Sequence, residues 1–154
     1  MTPIELVDAL SDFIKDVVKE YDLSTKIDGK CKAPEVHSGY LPPKTKGDDA
    51  SDFPYIIVRY LSENDNSGNV VSMRIIIGTY SEDEQNGWRD TLNIATRIKI
   101  AIRKRETLGP FSLSDKIETE LFEDQPFPYW FAVMDLDFNA PQVQMDWSEH
   151  DIDY

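Results

Sequence analysis

Cysteine is almost absent from this chain, because Cys31 is the only one in 154 residues. An intramolecular disulfide is therefore excluded, and a lone thiol is more typical of a reducing compartment than of a secreted protein. Long apolar runs are also missing, since the longest, such as Ile75–Ile77, are far too short to span a bilayer. Glu5 and Asp8 stand where a signal peptide would carry positive charge. We expect a soluble intracellular protein that makes no use of a membrane.

Basic residues are scarce. The chain has 16 Lys and Arg residues against 29 Asp and Glu residues, a formal net charge of -13. This balance disfavours nonspecific binding to nucleic acids or anionic membranes, which requires concentrated positive charge. Aromatic residues make up 11% of the chain, which favours a folded protein over disorder. We expect one domain over residues 1–145, followed by an acidic, flexible segment at 146–154.

Motifs for catalysis and metal binding are missing as well. The two histidines, His37 and His150, lie in a predicted loop and in the acidic segment, and Cys31 has no second cluster with which to complete four zinc ligands. The sequence has no Gly-rich phosphate loop and no recognisable nucleophile motif. We therefore expect no catalytic residue, no metal and no cofactor, and the chain is not predicted to be an enzyme.

The N-terminal third of the chain predicts one helix and one long connection. Thr2 is a suitable N-cap, and apolar residues then recur at three- and four-residue steps, so we expect a helix that ends near residues 21–22. Residues 23–52 are rich in glycine and proline and have no sustained periodicity. Short extended pieces around Val36 or Tyr40–Leu41 are compatible with this segment. Its length suits either a partner-binding arm or an irregular surface loop.

Four strand-like segments and a second amphipathic helix fill the rest of the chain. The strands are predicted at residues 54–62, 70–80, 111–122 and 129–138, and the helix at 87–105. The predicted inward stripe of that helix comprises Trp88, Leu92, Ala95, Ile98 and Ile102. Basic residues gather toward its C-terminal end, where they suit the helix dipole, and Gly109-Pro110 is expected to stop it.

The order helix-β-β-helix-β-β predicts an α+β fold. We expect a two-layer α/β sandwich with a four-stranded mixed or antiparallel sheet and both helices on one face. Short turns within each strand pair favour antiparallel pairing, and the helix that links the second and third strands allows a parallel neighbour.

Side-chain alternation places a mixture of charged and apolar residues on the sheet face away from the helices. Its charged members are Arg59, Arg74, Lys116, Glu118, Glu120, Asp135 and Asp137, and its apolar members are Ile57, Leu61, Ile76, Phe131 and Val133. Such a face is either solvated or buried against another subunit or partner, and the apolar members favour burial. Tyr40 in the long connection and Pro126 and Phe127 in the last turn are further candidate contacts.

Two weaker patterns point to nucleic acid. Asp135 and Asp137 lie on one side of a strand, and Glu118 and Glu120 are potential neighbours, so these carboxylates offer a magnesium site of the kind that a metal-dependent nuclease needs. No lysine follows them at the spacing of a nuclease core. The basic run at 103–105 suits DNA contact, but its favourable position at the C-terminal end of a helix is the simpler explanation.

Six segments, taken in order, resemble the tail terminator, or tail completion, proteins of long-tailed phages and prophages. They are Ala33-Pro34, Gly39-Tyr-Leu-Pro-Pro-Lys44, Phe53-Pro-Tyr-Ile-Ile-Val-Arg59, Ile75-Ile-Ile-Gly-Thr-Tyr-Ser81, Gly87-Trp-Arg-Asp90 and Glu123-Asp-Gln-Pro-Phe-Pro-Tyr-Trp-Phe131. The resemblance covers roughly residues 33–145 and leaves the first helix and the acidic segment outside it.

This resemblance implies a structural virion protein. Members of that family form a hexameric ring on the head-proximal end of the tail tube, stop tube polymerisation and offer the surface that joins the head. The implied partners are further copies of the chain, the tail tube protein and a head-completion or connector protein, with DNA only as passing cargo. The implied location is the tail or neck of the virion after assembly in the host cytoplasm. A head-tail connector or stopper is the first alternative, and a metal-dependent nuclease is the second.

Overall fold

The computed structural model of this protein describes residues 2–27, 29–43, 52–66 and 68–140. The helices are α1 (Pro3–Val18) and α2 (Trp88–Arg105). The strands are β1 (Leu23–Ser24), β2 (Cys31–Lys32), β3 (Glu35–Ser38), β4 (Tyr55–Asn64), β5 (Asn69–Tyr80), β6 (Thr107–Leu108), β7 (Phe111–Leu121) and β8 (Tyr129–Ala140). The fold is therefore α+β, as predicted. The acidic segment predicted at 146–154 lies outside the described residues.

The main sheet has six strands in the order β3-β4-β5-β8-β7-β6, so the prediction of four strands was wrong. Its centre consists of the four long strands that side-chain alternation predicted. The strands β3 and β6 extend it at its two ends, and they have only four and two residues. Segments this short show no recognisable periodicity in a sequence. A separate two-stranded sheet pairs β1 with β2.

The sheet is mixed, but its parallel pair is not the predicted one. β3 runs parallel to β4, and the other neighbouring pairs described in the main sheet are antiparallel. Residues 39–54 separate β3 from β4, which gives the chain the length that a parallel connection needs. α2 leads from β5 to β7, and β8 then returns between these two strands and pairs antiparallel with each.

Both helices pack on one face of the sheet, as predicted. α1 contacts β3 and β4, whereas α2 contacts β5, β7 and β8. The core between the two layers includes fully buried side chains from each element, such as Ile14 of α1, Ile98 of α2 and Ile75 of β5. Burial of each such side chain contributes roughly 1.5–3 kcal/mol. Neither helix in the described parts of the chain is long and apolar enough to cross a membrane.

α1 begins as predicted and ends earlier than predicted. The Thr2 Oγ1 atom accepts a hydrogen bond of 3.2 Å from the Glu5 N–H and so caps the first turn. The helix ends at Val18, because the Tyr21 N–H donates to the Val18 carbonyl at 3.1 Å in a tight turn. Tyr21 keeps the apolar spacing and packs partly buried against the core, but it does so from outside the helix.

The predicted inward stripe of α2 is confirmed at Ala95, Ile98 and Ile102 but is wrong in the first part of the helix. Thr91 and Ile94 are fully buried, whereas Trp88 and Leu92 are only partly buried. A polar residue occupies the core because the Thr91 hydroxyl forms a hydrogen bond of 2.7 Å with the Thr79 hydroxyl of β5. The helix ends at Arg105, as predicted, but the residue that turns the chain there is Glu106, with φ 65°, and not Gly109-Pro110.

Candidate assembly surface

The sheet face opposite the helices carries the predicted mixture of charged and apolar residues. We call it the open face, and its members alternate with core residues along β4, β5, β8 and β7. They are Tyr55, Ile57, Arg59, Ser72, Arg74, Ile76, Tyr80, Tyr129, Phe131, Val133, Asp135, Asp137, Glu118 and Glu120. One register row runs across all four strands through Arg59, Arg74, Asp135 and Glu118. The alternation in the sequence therefore placed these candidate residues together correctly.

An ion pair stands in the middle of this row. Arg74 donates from Nε to the Asp135 Oδ1 atom at 2.7 Å and from Nη2 to Oδ2 at 2.9 Å, a two-pronged geometry. The hydrogen bond to Asp135 is the main reason that the pKa of Arg74 is raised. Two residues away along β5, on the same face, the Ser72 hydroxyl donates to the Asp137 carboxylate at 2.7 Å. These two carboxylates are thus held by groups of the protein itself.

The β4 side of the open face is cationic, and Tyr40 belongs to it. The Arg59 guanidinium lies 4.1 Å from the centre of the Tyr40 ring, and its Nε donates to the Gly39 carbonyl at 2.9 Å. A cation stacked on an aromatic face in this way is attracted by the ring electrons. Tyr40 is 71% exposed and Arg59 is partly buried. The predicted contact in the long connection therefore joins the open face directly.

The β7 side of the open face is anionic. Glu118 lies opposite Asp135, and Glu120 lies opposite Val133, where its charge helps to raise the pKa of Arg74. The Lys116 ammonium approaches the Glu118 carboxylate only to 3.7 Å, and both side chains are well exposed. An exposed pair of this kind adds little to stability. The open face therefore changes from positive at β4 to negative at β7.

An aromatic cluster covers the end of the open face near the β4 N-terminus. Phe53, Tyr55, Ile57 and Tyr80 are its buried members, and Leu41, Ile76, Tyr129 and Phe131 pack against them. The Phe53 ring centre lies 4.8 Å from that of Tyr55 and 4.6 Å from that of Tyr129. Burial raises the pKa of Tyr80. The cluster is a second apolar centre, on the sheet face opposite to α1 and α2.

Gly78 leaves room for these rings. A Cβ atom at this position would lie 2.9 Å from side-chain atoms of both Phe53 and Tyr55. Such separations are too short for carbon atoms, so a larger residue here would push the two rings apart. The glycine within Ile75–Ser81 therefore permits the aromatic cluster.

Pro126 and Phe127 do not lie on the open face. The Pro126 carbonyl accepts a hydrogen bond of 2.9 Å from the Tyr129 N–H, so Pro126 shapes the turn before β8. The Phe127 ring is 47% exposed and meets the Trp130 ring edge-on at 6.3 Å between centres. Trp130 alternates with the open-face residues of β8 and faces α2. These two candidates are therefore separate from the other eight.

Phe122 is a member of the open face that the sequence analysis missed. Its ring stacks on Phe131 at 5.9 Å between centres and is 41% exposed. Its N–H donates to the Phe131 carbonyl, which continues the pairing of β7 with β8. Its position could have been predicted from the sequence, because residues two apart in a strand share a face and Phe122 follows Glu118 and Glu120 at this spacing.

Segments that carry the resemblance to tail terminators meet at this surface. Phe53–Arg59, Ile75–Ser81 and Glu123–Phe131 supply most of the aromatic cluster, and Leu41 comes from Gly39–Lys44. Gly87 packs against Trp130, so a fifth segment reaches the same end of the sheet from the helix side. No protein-family model matches the chain, and no curated protein sequence is significantly similar to it.

The carboxylates of the open face do not converge on a metal position. Within residues 2–27, 29–43, 52–66 and 68–140, no three His, Cys, Asp or Glu side chains are grouped as metal ligands. Asp135 is occupied by Arg74 and Asp137 by Ser72, as described above. The open face instead has exposed aromatic surface that a partner can bury and charges of both signs that a partner can pair. Both features are typical of protein–protein interfaces.

Proposed function

We propose that this protein is a tail terminator of a long-tailed phage or prophage. It acts as a ring of identical copies that caps the tail tube, ends tube polymerisation and provides the surface that joins the head. The open face is the observation that carries this proposal, because it combines a partly exposed aromatic end with charges of both signs, and neither of the two described helices lies on it.

The charge distribution of the open face suits a closed ring. Ring closure requires a heterologous contact, in which two different patches of the same chain meet. The cationic patch at Arg59 and the anionic patch at Glu118 and Glu120 lie on opposite sides of the open face. A positive patch of one copy that faces a negative patch of the next sets the order of copies around the ring.

The net charge is compatible with the passage of DNA through such a ring. At -13 per copy, the protein repels phosphates on average, and repulsion keeps DNA from adhering to a conduit. The partners in this function are the tail tube protein and a head-completion protein, and the DNA is only cargo.

The function is tested by electron microscopy of tails assembled with and without this protein. With it, tail lengths should form one narrow distribution. Without it, tubes should continue to polymerise, so that the distribution broadens toward long tubes that lack heads. Purified protein added back during assembly should restore the narrow distribution. Tails of normal, fixed length in its absence would eliminate the terminator proposal.

The surface is tested in the same assay with a charge-reversed variant. Glu118→Lys with Glu120→Lys inverts the anionic patch and should abolish capping, because like charges then face each other in the ring. Asp8→Lys with Asp12→Lys makes the same change in net charge on the exposed surface of α1 and should cap normally. Circular dichroism confirms that both variants are folded. Equal capping by the two variants would exclude the open face as the contact.

A further inference from the structure

Strand β7 has a free edge along its C-terminal half, beyond Leu113, whose N–H donates to the Glu106 carbonyl, and beyond the Ser114 and Asp115 carbonyls, which accept from Arg103. β6 pairs only with Phe111 and Ser112, and no other described strand lies beyond β7. The Phe122 N–H donates toward β8, and neighbouring residues in a strand point their backbone groups to opposite sides. The N–H and C=O groups of Ile117, Thr119 and Leu121 therefore point away from the sheet. They form a template for one more strand.

A groove runs between this free edge and α2. Its volume is about 520 Å³, and its lining residues are Lys99, Ile100, Arg103, Lys104 and Ile117. Its apolar part consists of Ile100, which is 49% exposed, and the partly buried Ile117. The remaining three lining residues are basic. The groove thus suits an extended segment that has both apolar and acidic side chains.

The basic character of the groove is unusual for this chain. The α2 sequence carries Arg89, Arg97, Lys99, Arg103, Lys104 and Arg105 against the single carboxylate of Asp90. The chain as a whole has a net charge of -13. An acidic segment of the same protein is therefore attracted to α2 and repelled by most other surfaces.

The 14 residues after Ala140 in the sequence have the matching chemistry. Residues 141–154 contain four carboxylates and no Lys or Arg: Asp146, Glu149, Asp151 and Asp153. Val143, Met145 and Trp147 alternate with polar residues, which is the pattern of a strand with one apolar side. At about 3.3 Å per residue, the segment reaches up to roughly 46 Å when extended.

We propose that residues 141–154 of one copy add as a strand to the free edge of β7 in the neighbouring copy. Val143, Met145 and Trp147 cover Ile100 and Ile117, and the carboxylates lie near the basic residues of α2. The inference rests on the proposed ring, and it supplies a second connection between adjacent copies.

The geometry favours a neighbouring copy over the same copy. β8 ends at Ala140, beside Asn69, and Asn139 lies opposite Ser112 of β7. The β6–β7 hairpin occupies the sheet edge next to Ser112. To reach the free edge of its own copy, the segment would have to cross this hairpin and reverse. Crossings of this kind at one sheet edge are avoided in proteins.

Docking is tested with a fluorescein-labelled peptide of residues 141–154 and a chain that ends at Ala140, which retains every residue of the described core. Fluorescence anisotropy should show saturable binding that weakens as salt is added. Thr119→Pro removes an outward N–H without loss of a bond to β8, and it should weaken binding at least about tenfold. Thr119→Val retains the N–H and should bind normally. Absence of binding would overturn the proposal.

A charge variant keeps the test decisive if Thr119→Pro does not fold. Lys99→Glu with Lys104→Glu should weaken peptide binding about tenfold and reduce its salt dependence, because two attractive pairs become repulsive. Lys15→Glu in α1 with Lys19→Glu, the residue directly after α1, is the matched control and should leave binding unchanged. Equal effects of the two pairs would mean that only net charge matters, which contradicts docking in the groove.

The neighbouring copy is identified by complementation. The chain that ends at Ala140 has the free edge of β7 but lacks residues 141–154. The full chain with Thr119→Pro has residues 141–154 but a blocked β7 edge. Light scattering should show a 1:1 complex when the two are mixed. Peptide binding without that complex would place the segment on its own copy and overturn the proposal. If the chain that ends at Ala140 still caps tails, the docking inference is overturned and the terminator proposal stands. If tails keep their normal length when the protein is omitted, the terminator proposal is refuted, and peptide docking is judged by the binding data alone.

Discussion

Replacement of Ile98 by alanine should lower the free energy of unfolding by about 2–5 kcal/mol. Ile98 lies in the middle of α2 with no exposed surface, and it packs in the core between the helix layer and the sheet. The substitution removes apolar contacts and leaves a cavity that close-packed neighbours cannot fill. Urea denaturation followed by circular dichroism measures the loss as a shift of the midpoint at constant slope.

The control is the same substitution two residues further along the same helix. Ile100 is 49% exposed, so Ile100→Ala should change the free energy of unfolding by no more than about 0.5 kcal/mol. Helix propensity affects both variants equally because the residue types are identical. Losses of similar size at the two positions would show that α2 packs on the sheet with a different side from the one described. The proposed strand docking predicts that Ile100→Ala still weakens binding of the 141–154 peptide.

Replacement of Gly87 by alanine should lower the free energy of unfolding by about 1–3 kcal/mol. A Cβ atom at this position would lie 2.4 Å from Cε2 and 2.5 Å from Nε1 of Trp130. The Trp130 ring cannot easily withdraw, because it is buried and its Nε1 donates to the Ser81 carbonyl at 3.1 Å. The new methyl group must therefore displace either the indole or the start of α2.

A double-mutant cycle separates this clash from an effect on the backbone. Trp130→Phe removes the ring atoms that the new methyl group would meet. The single variant is itself less stable, because it loses the hydrogen bond of the indole and some of its contacts. In the Trp130→Phe background, Gly87→Ala should lose most of its effect. If Gly87→Ala lowers the free energy of unfolding by the same amount in that background, Gly87 is needed for the backbone conformation before α2 and not for the space that the Trp130 ring occupies.

The long elements of this fold were predictable because each carries its own periodicity. α1, α2 and the four long strands bury one side against the core, so the sequence repeats at their characteristic spacing. The short strand β6 was missed, and β3 was foreseen only as a short extended piece around Val36. Their pairing with β4 and β7 holds them in place, and their own two to four residues carry no pattern. Tyr60 shows the same limit within a long strand. Tyr60 follows the buried Val58 by two residues, so alternation predicts that it faces the core, but β4 has a register shift next to it, and the ring is 41% exposed.

The membership of the open face was predictable except at Leu61, which falls at the register shift of β4, but its internal pairing was not. Alternation along one strand identifies which residues share a face, so Arg74 and Asp135 were both assigned correctly. Their direct contact depends on the order and register of β5 and β8, which no single segment encodes. Phe127 lies in the turn before β8, where it was predicted, but its position relative to the open face could not be predicted because a turn does not follow strand alternation. The free edge of β7 could not be predicted either, since it depends on which strands pair beyond it.

The free edge of β7 also divides the backbone amides of one strand into two classes. The N–H groups of Glu118, Glu120 and Phe122 point to β8, whereas those of Ile117, Thr119 and Leu121 face solvent. In deuterated water, the second set should exchange its amide hydrogens far faster than the first. NMR of the chain that ends at Ala140 would record this alternation residue by residue. Any strand that adds to the edge should slow the fast set and leave the slow set as it was.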